Sequence, residues 1–217
     1  MKKFAIVLAG NGVYDGAEIQ EAVLTMLAIK QQSCEYQCFA PDIPQHHVIN
    51  HLNGKEMSEK RNVLTESARI ARGNIKELSE FNANDFDALI FSGGFGVAKN
   101  LCTIAFDGSN ASVNEDVSKA VIEMHKNKKP IGALCMAPVL IAKIIGNEVN
   151  VTIGTDEETI AVIEKMGAIH IETDHADVIL DEENLIFTSP CYMLDADISQ
   201  IYDGAFNTVE AMITMME

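Results

Sequence analysis

Phe4–Ala9 is an unbroken apolar run closed by Gly10, and "DALIFSGG" (87–94) holds another, closed by Gly93 and Gly94. Short apolar runs without alternation predict strands buried on both faces. "AEIQEAVLTMLAIKQQ", which begins at Ala17, is dense in helix formers and too long for a strand. "CEYQCFA" (34–40) alternates weakly and stops before Pro41-Asp42, so it reads as a second strand. "SEKRNVLTESARIARG" has an amphipathic period, with Ser58 as its cap and Gly73 as its stop. Residues 114–129 predict a helix capped by Asn114, with acids in its first turn and lysines in its last.

The strand "PIGAL" then leads through Cys135 into a helix over 137–145 that Gly146 ends. "NVTIG" (150–154) reads as a strand and "DEETIAVIEKMG" as a helix. "IHIE", "DVIL" and "LIFTS" read as short strands near one hairpin, with "DEEN" at its turn, and a last helix covers 195–215. Strands and helices alternating at this spacing predict βαβ units, a mainly parallel sheet and an α/β fold. No repeat or linker divides the chain, so one domain over 1–217 is expected.

In open parallel sheets, ligands bind at the carboxyl ends of the strands, where Cys135 falls. A nucleophile elbow needs small residues two positions either side of its centre, and "ALCMA" places Ala133 and Ala137 there. Pro138 suits a first helical turn. The helix start would lower the thiol's pKa and favour thiolate; the other reading is a buried, inert cysteine. The Gly93-Gly94 turn offers N–H groups that could face an oxyanion beside the Met136 N–H. Glu18 opens the first helix. It either shares a proton with a nearby thiol or is a first-turn acid favoured by the helix dipole.

The formal charge of −16 excludes the basic footprint that nucleic acid requires, and it disfavours anionic membranes. No run approaches the roughly 18 apolar residues of a membrane span. The apolar stretch of "MKKFAIVLAGNG" is too short for a signal peptide and reads as the first strand. Five cysteines without a CxxC pair indicate neither a disulfide framework nor a zinc site, and they point to the reducing cytoplasm. Glycines 10, 12 and 16 give GxGxxxG, one residue too long for a dinucleotide fingerprint.

"GNGVYDGAEIQEAVLTMLAI", "CFAPD", "VINHLNGKEMSEKRNVLTESARIARG", "SGGFGVAKNL" and "VTIGTD" resemble, in order, the ElbB family of the PfpI/ThiJ superfamily. The resemblance runs from Lys3 to about Tyr192. It implies a flavodoxin-like three-layer sandwich with a class I glutamine amidotransferase-like core and a helical insertion at about 44–82. It also implies Cys135 as nucleophile, Glu18 as its acidic partner, and a homodimer. The activity implied is a weak, cofactor-independent and metal-free conversion of glyoxal to glycolate through a cysteine hemithioacetal, with the Gly94 and Met136 N–H groups stabilising the oxyanion. The alternative is a non-catalytic, redox-responsive or accessory protein linked to isoprenoid supply.

The chain departs from the superfamily where a histidine is usual. Met136 follows the cysteine, and Gly154-Thr155-Asp156 stands where some relatives place a histidine. His170-Ile171-Glu172 imitates the amidotransferase H-x-E but alternates like a strand, and reads as a decoy. His46, His47, His51 and His125 read as surface residues. Without a histidine base, a slow enzyme and no glutaminase activity are expected.

Overall fold

Alternate residues of the first strand, β1 (Lys3–Val7), enter two separate cores, because successive side chains of a strand point to opposite faces. The computed structural model describes residues 1–216. After β1 come α1 (Ile19–Gln31), β2 (Glu35–Ala40), β3 (Ile49–Asn50), β4 (Lys55–Glu56), α2 (Val63–Ile70) and β5 (Ile75–Glu77). The middle of the chain forms β6 (Ala88–Phe91), α3 (Ile104–Asp107), α4 (Glu115–Lys126), β7 (Ile131–Leu134) and α5 (Pro138–Ile144). Then follow β8 (Asn150–Val151), α6 (Glu157–Lys165), β9 (Ile169–His170), β10 (Ile179–Asp181), β11 (Ile186–Ser189) and α7 (Ile198–Thr214).

Seven strands make one sheet in the order β10-β11-β7-β6-β1-β2-β5. Every pairing in it is parallel except that of the edge strand β10 with β11. Phe4, Ile6 and Ile90 pack with α1 and α7 on one face; Ala5, Val7, Leu89 and Phe91 pack with α4 and α5 on the other. The result is the expected flavodoxin-like three-layer sandwich. Phe4, Phe39, Phe91 and Phe187 are all fully buried, and each such burial stabilises by roughly 1.5–3 kcal/mol. The central strands therefore form the rigid frame on which the turns at their carboxyl ends are mounted.

Residues 44–82 are less helical than expected. They hold the β3–β4 hairpin and α2, and then β5, which joins the edge of the main sheet. Asn62, not Ser58, caps α2, accepting from the Thr65 N–H at 3.0 Å. The helix starts late because Arg61 and Val63 are drawn into backbone hydrogen bonds with Gln45 and Ile43. "IHIE" also differs from expectation: β9 pairs in parallel with β8 in a separate two-stranded sheet, and only β10 and β11 form the hairpin. Among the described residues no helix is long and apolar enough to cross a membrane, and no group of three His, Cys, Asp or Glu side chains is arranged to hold a metal.

Candidate active site

The chain runs out along β2 and β5, then returns to β6 on the other side of β1. That reversal makes a switch point, where the crevice beyond the strand ends is the usual ligand site of such sheets. Cys135 lies beyond β7, one strand over from β6. It has φ +56°, the left-handed conformation of an elbow, which costs a non-glycine residue on the order of 1–3 kcal/mol. Its N–H donates to Ser189 O at 2.9 Å, extending the β7–β11 pairing by one residue, and the Ala137 N–H closes the turn on Leu134 O at 2.9 Å. Ala133 and Ala137 are fully buried, and the thiol-bearing residue itself is 5% exposed.

The carboxyl facing this thiol belongs to Glu21, which corrects the expectation placed on Glu18. Glu18 is the cap of α1, and its Oε2 accepts from the Glu21 N–H at 2.7 Å. Three residues further on, Glu21 points inward with no exposed surface. Its Oε2 accepts from the Gly93 N–H at 2.9 Å and its Oε1 from the Tyr192 N–H at 3.2 Å. Its side chain also lies against the Cys135 thiol, both beside Gly93. One buried carboxyl thus ties together the turns after β6, β7 and β11. Gly93 is required for this closeness. A Cβ there would stand 2.5 Å from Glu21 Oε2 and 2.8 Å from Cys135 Sγ, and closer still to Cys135 Cβ.

Burial pushes the Glu21 carboxyl from its ordinary 4.5 up to about 8, and the nearby Glu18 charge adds to the shift. Burial also drives the Cys135 thiol well above its usual range, and the Glu21 charge raises it further, while the Gly94 N–H works against both. The expected preformed thiolate is therefore corrected. α5 begins only at Pro138, and desolvation outweighs what the helix start supplies. Burial raises the Glu18 carboxyl as well, against the backbone N–H groups of the first turn of α1, which work to lower it.

The two glycines after β6 divide their work: the Gly93 N–H holds Glu21, and the Gly94 N–H faces the Cys135 sulfur. The Met136 N–H donates to no backbone carbonyl among the described residues. Met136 and Phe95, with Ile104, Glu158 and Val162, line an open cavity of about 230 Å³ beside the elbow. Cys135 itself does not line that cavity.

Over 212 residues the chain is 44% identical to the human glutamine amidotransferase-like class 1 domain-containing protein 3, mitochondrial, spanning 93% of this chain and 79% of that protein. The crystal structure of an isoprenoid biosynthesis protein with amidotransferase-like domain from Ehrlichia chaffeensis matches over the whole of both chains, with a TM-score of 0.93 at 35% identity. The chain belongs to the ElbB family of amidotransferase-like proteins. A glyoxalase III from Candida albicans shares the fold, with a TM-score of 0.61 at 17% identity over 100% of this chain and 98% of that one. No family model matches the chain.

Unlike amidotransferases with a Cys-His-Glu triad, this ElbB-family chain brings no histidine to the thiol among the described residues. His170 lies in β9, where its Nε2 accepts from the Ile153 N–H at 3.3 Å. His125 bonds Asn184 near the end of α4. His175, which the sequence reading passes over, pairs with Asp174 and reaches Asp195 O. His51 is more than a surface residue: it accepts from the Tyr14 N–H at 3.2 Å and stacks on Tyr14, bracing the turn after β1. The sequence reading also misses Glu21. The available signal was an acid on the face of α1 that carries Ala22, Thr25, Met26 and Ile29.

Proposed function

We propose that this ElbB-family protein is a slow, cofactor-independent glyoxalase in which Cys135 is the nucleophile and Glu21, in place of Glu18, carries the proton. The observation that carries the reading is the Glu21 carboxyl held against the Cys135 thiol with its pKa raised to about 8. A base poised near the operating pH is effective in proton transfer. Glu21 takes the thiol proton as sulfur adds to one carbonyl carbon of glyoxal, then returns it to the new alkoxide oxygen. That alkoxide forms where the Gly94 and Met136 N–H groups can donate to it. The carboxylate next removes the hydrogen on the sulfur-bearing carbon and delivers it to the neighbouring carbon through an enediol. The product is a glycolyl thioester on Cys135. Water breaks its S–C bond, releasing glycolate and restoring the thiol, so glyoxal and water become glycolate.

Slowness follows from the missing histidine. General acid–base assistance is worth typically ~10²–10⁴-fold, and a single buried carboxyl must serve every proton transfer. Turnover of glyoxal by the purified protein tests the reading. Cys135→Ser and Glu21→Gln should each abolish it, while Glu18→Gln should retain most of it. Full activity in Glu21→Gln would defeat the assignment. The accessory reading draws on one observation, the near-complete burial of the thiol, and it gains if no dicarbonyl is turned over. Five free cysteines suit the reducing cytoplasm. We assign the expected homodimer to the uncharged stripe of Ile19, Val23 and Leu27, one helical turn apart on the outer side of α1 and each more than two-fifths exposed. Two copies of so acidic a chain would repel one another on most other faces.

A further inference from the structure

Five cysteines are free, and they fall into three separate groups. Cys34 and Cys38 are packed in the core beside α1 and α7, and Cys102 in the core beside α4 and α5. Cys191 alone shares a cluster with Cys135, with Leu134, Ile201 and Ala205 around them. The mechanism leaves this second thiol unused.

The geometry points to Cys135 and Cys191 as a dithiol that closes to a disulfide on reaction with low-molecular-weight disulfides. β7 and β11 are parallel neighbours with Leu134 opposite Ser189, and the Cys135 N–H donates to Ser189 O at 2.9 Å. Cys135 is one residue past that register pair and Cys191 two past it. Neither residue continues its strand, since Pro190 is helical and Cys191 opens a 3-10 turn, yet the Cys135 N–H lies against the Cys191 sulfur and both thiols sit in one buried cluster. Both residues have positive φ, +56° and +43°, so each sits at a sharp turn at the end of its strand. Gly204 of α7 sits opposite Cys191. A Cβ added there would meet the Cys191 sulfur at 3.5 Å, ordinary van der Waals contact, so the glycine leaves about a methyl group's space beside the thiol.

The carboxyl of Glu21 also faces both sulfurs, since its charge raises Cys135 and Cys191 alike and it accepts from the N–H of Tyr192, the residue after Cys191. It is the proton acceptor that exchange requires. Cys135 gives its proton to Glu21 and attacks one sulfur of the small disulfide. A bond forms to Cys135 Sγ, and one thiolate leaves with its electron pair, taking up a proton. Cys191 is deprotonated in turn and attacks Cys135 Sγ, expelling the second small thiol. Two electrons pass from the protein to the reagent, and both sulfurs of the site end in one bond.

The test is mass spectrometry of the intact, folded protein treated with oxidised glutathione. The expected product has lost two hydrogens and carries no adduct, returns to the starting mass with dithiothreitol, and yields a non-reduced peptide joining Cys135 to Cys191. In Cys191→Ser the glutathione adduct should persist on Cys135, while glyoxal turnover before oxidation stays at the parent level. A lasting adduct on the parent protein, a disulfide mapped to Cys34, Cys38 or Cys102, or no reaction would each overturn the assignment. Because the readout is mass, it stands or falls apart from the glyoxalase reading.

Discussion

Replacing Glu21 by glutamine should change how stability depends on pH, more than stability at any one pH. Glu21 is fully buried and its carboxyl sits at about 8 in the folded protein, against an ordinary 4.5. Between those values the folded chain keeps a proton that the unfolded chain has released. The group's contribution is therefore fully present below about pH 4.5 and is lost as pH rises through about 8. The slope is at most about 1.4 kcal/mol per pH unit, and the total is on the order of 5 kcal/mol. Glutamine does not titrate, so the variant lacks this slope. It carries a constant penalty instead. Its amide nitrogen cannot accept from a backbone N–H, so either the Gly93 or the Tyr192 donor is left unpaired, at a cost of about 1–3 kcal/mol. Urea unfolding of both proteins from about pH 5 to 9 should show the variant weaker at the acid end, the curves crossing between about pH 5 and 7 where the loss along the slope equals the penalty of about 1–3 kcal/mol, and the variant the stronger above about pH 8. Titrating groups away from Glu21 cancel in the difference, and only its coupled neighbours Glu18, Cys135 and Cys191 add to it. Parallel curves would refute a buried, proton-retaining Glu21.

Gly93→Ala should fold but lose about 10²-fold in kcat/KM for glyoxal, since its Cβ would drive Cys135 and Glu21 apart by something near 1 Å; parent-level turnover would show the pair is not the working unit. With Glu21 as the base, kcat/KM should rise with pH and level off above about 8, following the carboxyl, and a rate that is flat from pH 6 to 9 would remove it from that role. Alkylation of Cys135 by iodoacetamide should be slow at neutral pH and quicken in alkali, because burial holds the thiol protonated; rapid labelling at pH 6 would contradict the site's electrostatics. Val23→Lys should shift light-scattering mass from dimer to monomer without loss of helix content, and an unchanged mass would free the α1 stripe of that assignment.

The strands that build the site were legible because they are buried on both faces. β1 and β6 read as continuous apolar runs closed by glycine turns, β7 as "PIGAL" running into Cys135, and β11 only as a short strand near a hairpin. The elbow at Cys135 was legible through Ala133 and Ala137, which the turn needs small. Residues 44–82 were not. Two-residue strands leave no period to detect, and backbone pairing to residues far along the chain moved the helix start from Ser58 to Asn62. Glu18 was chosen over Glu21 because the first acid of a helix is the conspicuous one. Burial, which only the folded sheet supplies, decides which acid meets the thiol and also reverses the direction of the thiol's own pKa.

The carboxyl of Glu21 accepts from residues 72 and 171 positions further along the chain. During synthesis, therefore, residues 21 and 93 can meet early, and Cys135 can follow, but the third wall must wait for β11, among the last strands to be made. Until that strand slots in beside β7, Cys135 stands on an unfinished edge without the Ser189 carbonyl, and Glu21 lacks the Tyr192 N–H. A ribosome-bound fragment ending before Ser189 would carry the whole elbow sequence without the carbonyl that receives the Cys135 N–H. The surroundings of Cys135 are in this sense assembled only once β11 is in place.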